Sequence, residues 1–186
     1  MGILMRSIEV DIDDRWLLPV PSDVDPGVWA REKVATLQSE PERDPEETVE
    51  ALISLTASAD PTAFATLLFC PDGLPGRALV AIYATESDLA SLDDLPELAP
   101  AALPRQVLPL REHDPAVGRV ISTITQVPDV GILGTLHYEL LRDGALLEVV
   151  VTSPSLPHLG VGMPVFEELI ERIVVAPIGS GQHVAA

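Results

Sequence analysis

The segment ILGTLHYELLRDGALLEVVVT, residues 132–152, specifies an antiparallel β-hairpin. Asp143-Gly144 lies at its centre, and Asp-Gly is favoured in two-residue type I′ turns because both turn residues need positive φ angles. Apolar-rich runs flank the turn on both sides. A two-residue loop also fixes which residues face each other across the two strands.

The register that this turn implies gives the hairpin one fully apolar face. The pairs on this face are Leu140 with Leu147, Tyr138 with Val149, and Leu136 with Val151. The turn signal and the hydrophobic pattern therefore agree independently on one arrangement. We expect this face to lie against the core, because a one-residue slip would turn every apolar side chain to the other side.

The opposite face of the hairpin carries polar side chains. The same register places Glu139 directly opposite Glu148, and His137 lies on this face two residues away. Carboxylates that face each other across a strand pair destabilise the sheet unless something compensates. The three side chains are candidates for acid–base catalysis or for metal binding. Alternatively, both carboxylates are solvated or share an arginine such as Arg119 or Arg142.

Outward from the hairpin, other segments alternate apolar and polar residues or form short apolar runs between turn residues. Both patterns are typical of strands. We predict strands within residues 3–20, 64–70, 77–85, 106–111 and 117–127.

Capping signals predict two helices in the first third of the chain. Asp25-Pro26 and Asp44-Pro45 each combine an N-cap residue with proline at the first helical position. The first helix should end near Gln38. A third helix is predicted after Pro164, where apolar residues through Val174 recur at helical spacing.

These elements predict an α+β fold with a single antiparallel sheet of about six strands flanked by helices. The length of 186 residues suits one globular domain. Residues 86–105 and 153–164 are rich in proline, glycine or alanine and are predicted as surface loops. The residues from about 177 onward are predicted as a frayed tail.

The charge of the chain argues against two classes of partner. Acidic residues number 29 and basic residues 11, which gives a formal net charge of −18. Binding to nucleic acid or to an anionic membrane surface needs clustered Lys and Arg, so neither partner is expected. The charge either confers solubility or attracts a basic protein partner. Thirteen acids fall in the first 50 residues against five basic residues, so this is the region in which to seek a basic partner.

Cofactor and targeting motifs are also missing from the sequence. Lys33 is the only lysine and no Gly-Lys-Ser/Thr sequence occurs, so a P-loop is not expected. Cys70 is the only cysteine, which excludes an intrachain disulfide. No apolar run is long enough for a signal peptide or a membrane span. We therefore expect a cytoplasmic protein without a cofactor or a resident metal.

The C-terminal third contains Tyr138-Glu139-Leu140, Gly144-Ala145-Leu146 and Val151-Thr152-Ser153-Pro154, followed by a predicted helix over residues 166–173. With these motifs it resembles PsbP-like α/β proteins of actinobacterial type. The resemblance implies an α/β sandwich around an antiparallel sheet and a binding or accessory role. It implies no catalytic residue for this chain.

Two further groups of residues are candidates for binding. Trp16 and Trp29 flank the first predicted helix and would mark a protein-binding patch if both were exposed. His158, Gly160 and Gly162 lie in the predicted 153–164 loop. The glycines there would let a ligand approach backbone N–H groups at the start of the next helix.

The leading functional hypothesis is a non-catalytic binding or accessory protein that acts through protein–protein contacts. The second is a small hydrolase or isomerase that uses Glu139, Glu148 and His137. The third is an acidic decoy that blocks a basic surface, which requires the acids to lie on one face.

Overall fold

The fold is α+β, as predicted, with a seven-stranded antiparallel sheet and helices packed on both of its faces. This is a computed structural model, and it describes residues 6–12, 15–21, 24–37, 45–71, 78–96, 101, 103–128 and 131–177. The helices are α1 (Pro26–Leu37), α2 (Pro45–Ala57) and α3 (Leu156–Glu171). The strands are β1 (Arg6–Val10), β2 (Leu17–Pro19), β3 (Ala65–Phe69), β4 (Ala78–Glu86), β5 (Gln106–Pro109), β6 (Gly118–Val127), β7 (Gly131–Arg142), β8 (Ala145–Ser153) and β9 (Ile173–Pro177).

The main sheet has the strand order β2-β3-β4-β8-β7-β6-β5. Every neighbouring pair in it is antiparallel. A separate two-stranded sheet pairs β1 with β9, so that Ile8 lies opposite Val175. The sequence therefore predicted the architecture, while the main sheet has one strand more than the expected six.

The hairpin β7–β8 lies within the main sheet and has the predicted register. Asp143 and Gly144 have φ angles of 50° and 71°, as a type I′ turn requires. All three apolar pairs form as expected. Their six side chains are buried in the main core, so this face of the hairpin packs against the protein interior and is shielded from solvent.

Helix α3 begins earlier than the sequence predicted. The predicted loop over residues 153–164 is wrong from Leu156 onward, because α3 starts there and includes Pro164 in its interior. Proline removes one helical hydrogen bond. Burial of Leu159, Phe166 and Ile170 against the sheet outweighs this loss and the low helix propensity of the glycines.

The end of the predicted third helix is also wrong. Ile173 and Val174 belong to β9 and not to a helix. Their apolar run fits either structure, and the pairing with β1 selects a strand. Residues 178–186, where the frayed tail was predicted, lie outside the described part of the chain.

The helices α1 and α2 pack on the other face of the main sheet. Successive strand residues point to opposite faces, so Phe69 contacts the α3 side while Leu68 packs with Trp29 and Leu52. The predicted cap of α1 is confirmed, because Val28 N donates to Asp25 Oδ1 at 3.0 Å. Asp44, the predicted cap of α2, lies outside the described residues.

Candidate functional site

The hairpin brings the three predicted polar residues together on the sheet face opposite α3. Glu139 and Glu148 face each other across β7 and β8. His137 Nε2 lies 2.9 Å from Glu148 Oε1, and His137 Nδ1 lies 3.8 Å from Glu139 Oε1. We call these three residues the His–Glu–Glu cluster. Its assembly follows directly from the two-residue turn.

An arginine of the neighbouring strand compensates one of the two carboxylates. Arg119, which lies opposite Glu139 in the β6–β7 pair, donates from Nε to Glu139 Oε2 at 2.6 Å. Its Nη2 also donates to the Leu92 carbonyl at 3.0 Å. Arg119 binds only Glu139, so the two carboxylates do not share this arginine, and Arg142 instead binds the Glu171 carboxylate at the end of α3.

The cluster is buried at one side and open at the other. The side chain of Glu139 is 3% exposed and that of His137 is 12% exposed, while Glu148 is 27% exposed. Solvent therefore reaches the cluster from the Glu148 side. A substrate would meet Glu148 first, and Glu139 lies behind it against Arg119.

Tyr83 connects the cluster to a second feature of the same sheet face. It lies opposite Glu148 in the β4–β8 pair, and its hydroxyl donates to Asp60 Oδ2 at 3.0 Å. Burial, followed by this bond to Asp60, raises the pKa of Tyr83 to about 12. Hydrogen bonds from Thr62, and then from Tyr83, lower the pKa of Asp60, which therefore stays ionised at neutral pH.

Asp60 belongs to an apolar cleft of about 590 Å³ between α1, α2 and the β2–β3 edge of the sheet. Trp29, only 4% exposed, contributes to the wall. Phe64 and Val24 also line the cleft and are 52% and 42% exposed. A cleft of this size, with apolar walls and few polar groups, is typical of binding sites.

Acidic residues dominate the elements that form this cleft. Across residues 24–37 and 45–71, the chain has six acids and two bases. The acids are Asp25, Glu32, Glu46, Glu47, Glu50 and Asp60, and the bases are Arg31 and Lys33. Asp60 is the acid among them that lines the cleft itself, so the cleft combines apolar walls with one carboxylate.

The other predicted binding residues do not form a common site. Trp16 packs partly against the core under α3, while Trp29 is buried on the other face. The condition of a patch with both tryptophans exposed is therefore not met. His158, Gly160 and Gly162 belong to α3 and not to a loop, so the predicted glycine-rich ligand loop is wrong.

Gly162 has a packing role that sequence reasoning missed. A Cβ at this position would lie 2.5 Å from Phe166 Cε2 and 3.1 Å from Phe69 Cε1. Only glycine leaves room for these two rings, whose centroids are 5.0 Å apart. A Cβ at Gly160 would meet nothing within 4 Å.

A second ionic network was also missed. His113 is half-buried, and its Nε2 lies 2.6 Å from Glu171 Oε1. Arg142 Nη2 donates to the other oxygen of Glu171 at 2.5 Å. These contacts span distant segments, so no local sequence signal points to them.

Comparison of the chain with protein-family models, with curated proteins and with solved structures finds no match. The resemblance to PsbP-like proteins therefore stays a prediction. Among the described residues, no helix is long and apolar enough to cross a membrane.

Proposed function

We propose that the protein is a non-catalytic binding protein that holds an apolar, positively charged segment of a partner protein in the cleft between α1, α2 and β3. The observation that carries this proposal is the cleft itself, with Phe64 exposed and Trp29 in its wall. Aromatic side chains of this kind contribute strongly to binding energy because they bury a large apolar area.

The charge around the cleft supports a basic partner. Asp60 lies in the cleft and stays ionised, and acids exceed bases on the surrounding elements. A partner segment with one large apolar side chain flanked by Lys or Arg would satisfy both features. Complementary charge would also speed its association.

A catalytic role for the His–Glu–Glu cluster has less support. Glu139 is buried and engaged by Arg119, so only Glu148 and one edge of His137 face a substrate. The acidic-decoy hypothesis stays a prediction. We assign the protein to the cytoplasm as part of the proposal, since a chain with one cysteine needs no oxidising compartment.

Tryptophan fluorescence provides the test. In a Trp16→Phe variant, Trp29 is the only tryptophan and reports on the cleft. Random peptides displayed on phage are selected against this variant, and the enriched peptides are synthesised. We expect them to contain an aromatic or aliphatic residue flanked by Lys or Arg, and to shift the Trp29 emission.

Two serine variants in the same background provide the matched comparison. Phe64→Ser removes an apolar side chain from the cleft, whereas Ile132→Ser removes one that is equally exposed on β7. We expect Phe64→Ser to weaken peptide binding at least about tenfold and Ile132→Ser to leave it unchanged. The proposal would be overturned if both variants bound the peptides equally well. It would also be overturned if no peptide were enriched while a small apolar dye bound to the protein.

A further inference from the structure

The His–Glu–Glu cluster offers a set of donor atoms that metals bind. One nitrogen of His137 and one oxygen from each of Glu139 and Glu148 lie within 4.8 Å of one another. We propose that these three residues form a binding site for a divalent transition metal, with Zn²⁺ as the ion that fits best. Imidazole nitrogen suits Zn²⁺, whereas Mg²⁺ and Ca²⁺ prefer sites made entirely of oxygen. The site is independent of the proposed peptide cleft.

The separations in the cluster are close to those of a zinc site. Tetrahedral Zn²⁺ with bonds of about 2.1 Å places its ligand atoms about 3.4 Å apart. His137 Nε2 and Glu148 Oε1 lie 2.9 Å apart. All three donors lie within 4.8 Å of one another, so they must approach each other by at most about 1.4 Å to reach the zinc value.

Charge gives a second, independent reason for a cation at this place. Two carboxylates lie directly opposite each other across β7 and β8, an arrangement that disfavours the strand pair. Arg119 compensates only Glu139, through Oε2. The bond also orients that carboxylate with Oε1 toward His137, as outer partners of metal ligands do. A dication at the centre would offset the charge of both carboxylates, including that of Glu148, which Arg119 does not contact.

The surroundings provide an entry path. Glu148 is 27% exposed, so an ion can reach it without opening the core. Tyr83 lies opposite Glu148 and donates its hydroxyl hydrogen bond to Asp60 Oδ2 at 3.0 Å, so that hydroxyl already has a partner outside the cluster.

A cluster without a metal would be held by contacts among its own side chains and with Arg119. His137 would then hydrogen-bond Glu148 and Arg119 would hold Glu139, and these contacts would have only a structural role. The two arrangements differ in a measurable way, because only the first binds an added metal ion.

Isothermal titration calorimetry with ZnCl₂ tests the proposal. We expect the full chain to bind one Zn²⁺ and to bind Mg²⁺ far more weakly. His137→Gln and Glu148→Gln should each lower the zinc affinity at least about 100-fold. His113→Gln is the matched control, since His113 also contacts a glutamate but lies outside the cluster.

Thermal unfolding separates loss of a ligand from loss of the fold. Without zinc, all four proteins should unfold cooperatively. Added zinc should raise the unfolding temperature of the wild type and of His113→Gln, and not that of the cluster variants, because only binding to the folded state stabilises it. Absence of saturable binding at one ion per chain would overturn the proposal, as would equal affinity in His137→Gln. Phe64→Ser should keep the zinc site, so failure of the peptide proposal remains distinguishable.

Discussion

The β7–β8 hairpin has one register but two chemically different faces, one apolar and one polar. Toward α3 the register aligns Tyr138 with Val149 in a continuous apolar layer. Toward the other side it aligns Glu139 with Glu148 beside His137. The apolar face is stabilised by removal of surface from water. The polar face is held by a few charged contacts, of which the Arg119 bond to Glu139, at 2.6 Å, is the shortest.

This difference implies different responses to substitution. A close-packed apolar layer is sensitive to volume, because interiors have few voids. A buried ion pair is sensitive to the loss of one partner, because the remaining charge lacks both water and a counter-ion. The variants below test each face in turn, beginning with the largest expected effect.

Replacement of Arg119 by Met should be the most damaging change. It leaves the Glu139 carboxylate buried without its guanidinium, and we expect a loss of about 3–5 kcal/mol in the free energy of unfolding measured with urea. The double variant Arg119→Met/Glu139→Leu should recover most of that loss, because both buried charges are then gone.

The matched control for this prediction is Arg172→Met on the surface of α3. Arg172 pairs with Glu168 at 2.5 Å, but both side chains are well exposed. An exposed pair contributes at most about 1 kcal/mol. If Arg119→Met were no more destabilising than Arg172→Met, the polar face would not depend on its ion pair.

Two glycine substitutions in one helix test the packing of α3 on the apolar side of the main sheet. Gly162→Ala forces a methyl group against Phe166 and Phe69, and we expect a loss of about 1–3 kcal/mol. Gly160→Ala should gain about 1 kcal/mol, because alanine is the better helix former and the methyl group meets no neighbour. Thermal unfolding of both variants measures the difference. A stabilising Gly162→Ala would contradict the packing of α3 described above.

The smallest effect on stability is expected for Glu171, the last residue of α3, and it should appear only at acidic pH. Partial burial by itself raises the pKa of Glu171, but hydrogen bonds from Arg142 and His113 outweigh it and lower the pKa below the ordinary 4.5. The unfolded state therefore binds the proton more readily. The contribution of Glu171 to stability is complete above about pH 4.5 and is lost as the pH falls through the lowered pKa.

Urea unfolding of the wild type and of Glu171→Gln between about pH 6 and about pH 3 measures this contribution. We expect the wild type to lose more stability than the variant over this range. Parallel pH profiles would show that the contacts of Glu171 do not favour its ionised form.

Local signals in the sequence predicted the hairpin and its cluster. Asp143-Gly144 fixes the register through one turn, and the register alone brings Glu139 and Glu148 together. The sequence also named Arg119 as a possible partner. It could not choose between Arg119 and Arg142, because that choice depends on which strand lies beside β7.

Elements that depend on distant contacts were predicted less well. The first half of α3 contains Gly160, Gly162 and Pro164, which locally favour a loop, and only burial against the sheet makes it helical. β9 continues an apolar helical pattern and becomes a strand by pairing with β1. The cleft combines α1, α2, β2 and β3, so no single segment of the sequence contains its signal.

The pairing of β1 with β9 has a consequence for the order of folding. The β7–β8 hairpin closes over two residues, so its loop entropy is small and it can form early. Ile8 and Val175 are separated by most of the chain. Their contact therefore lowers the conformational entropy of the whole intervening segment. Such long-range closure slows folding. We therefore expect β1 to dock last, onto a sheet and an α3 that are already assembled.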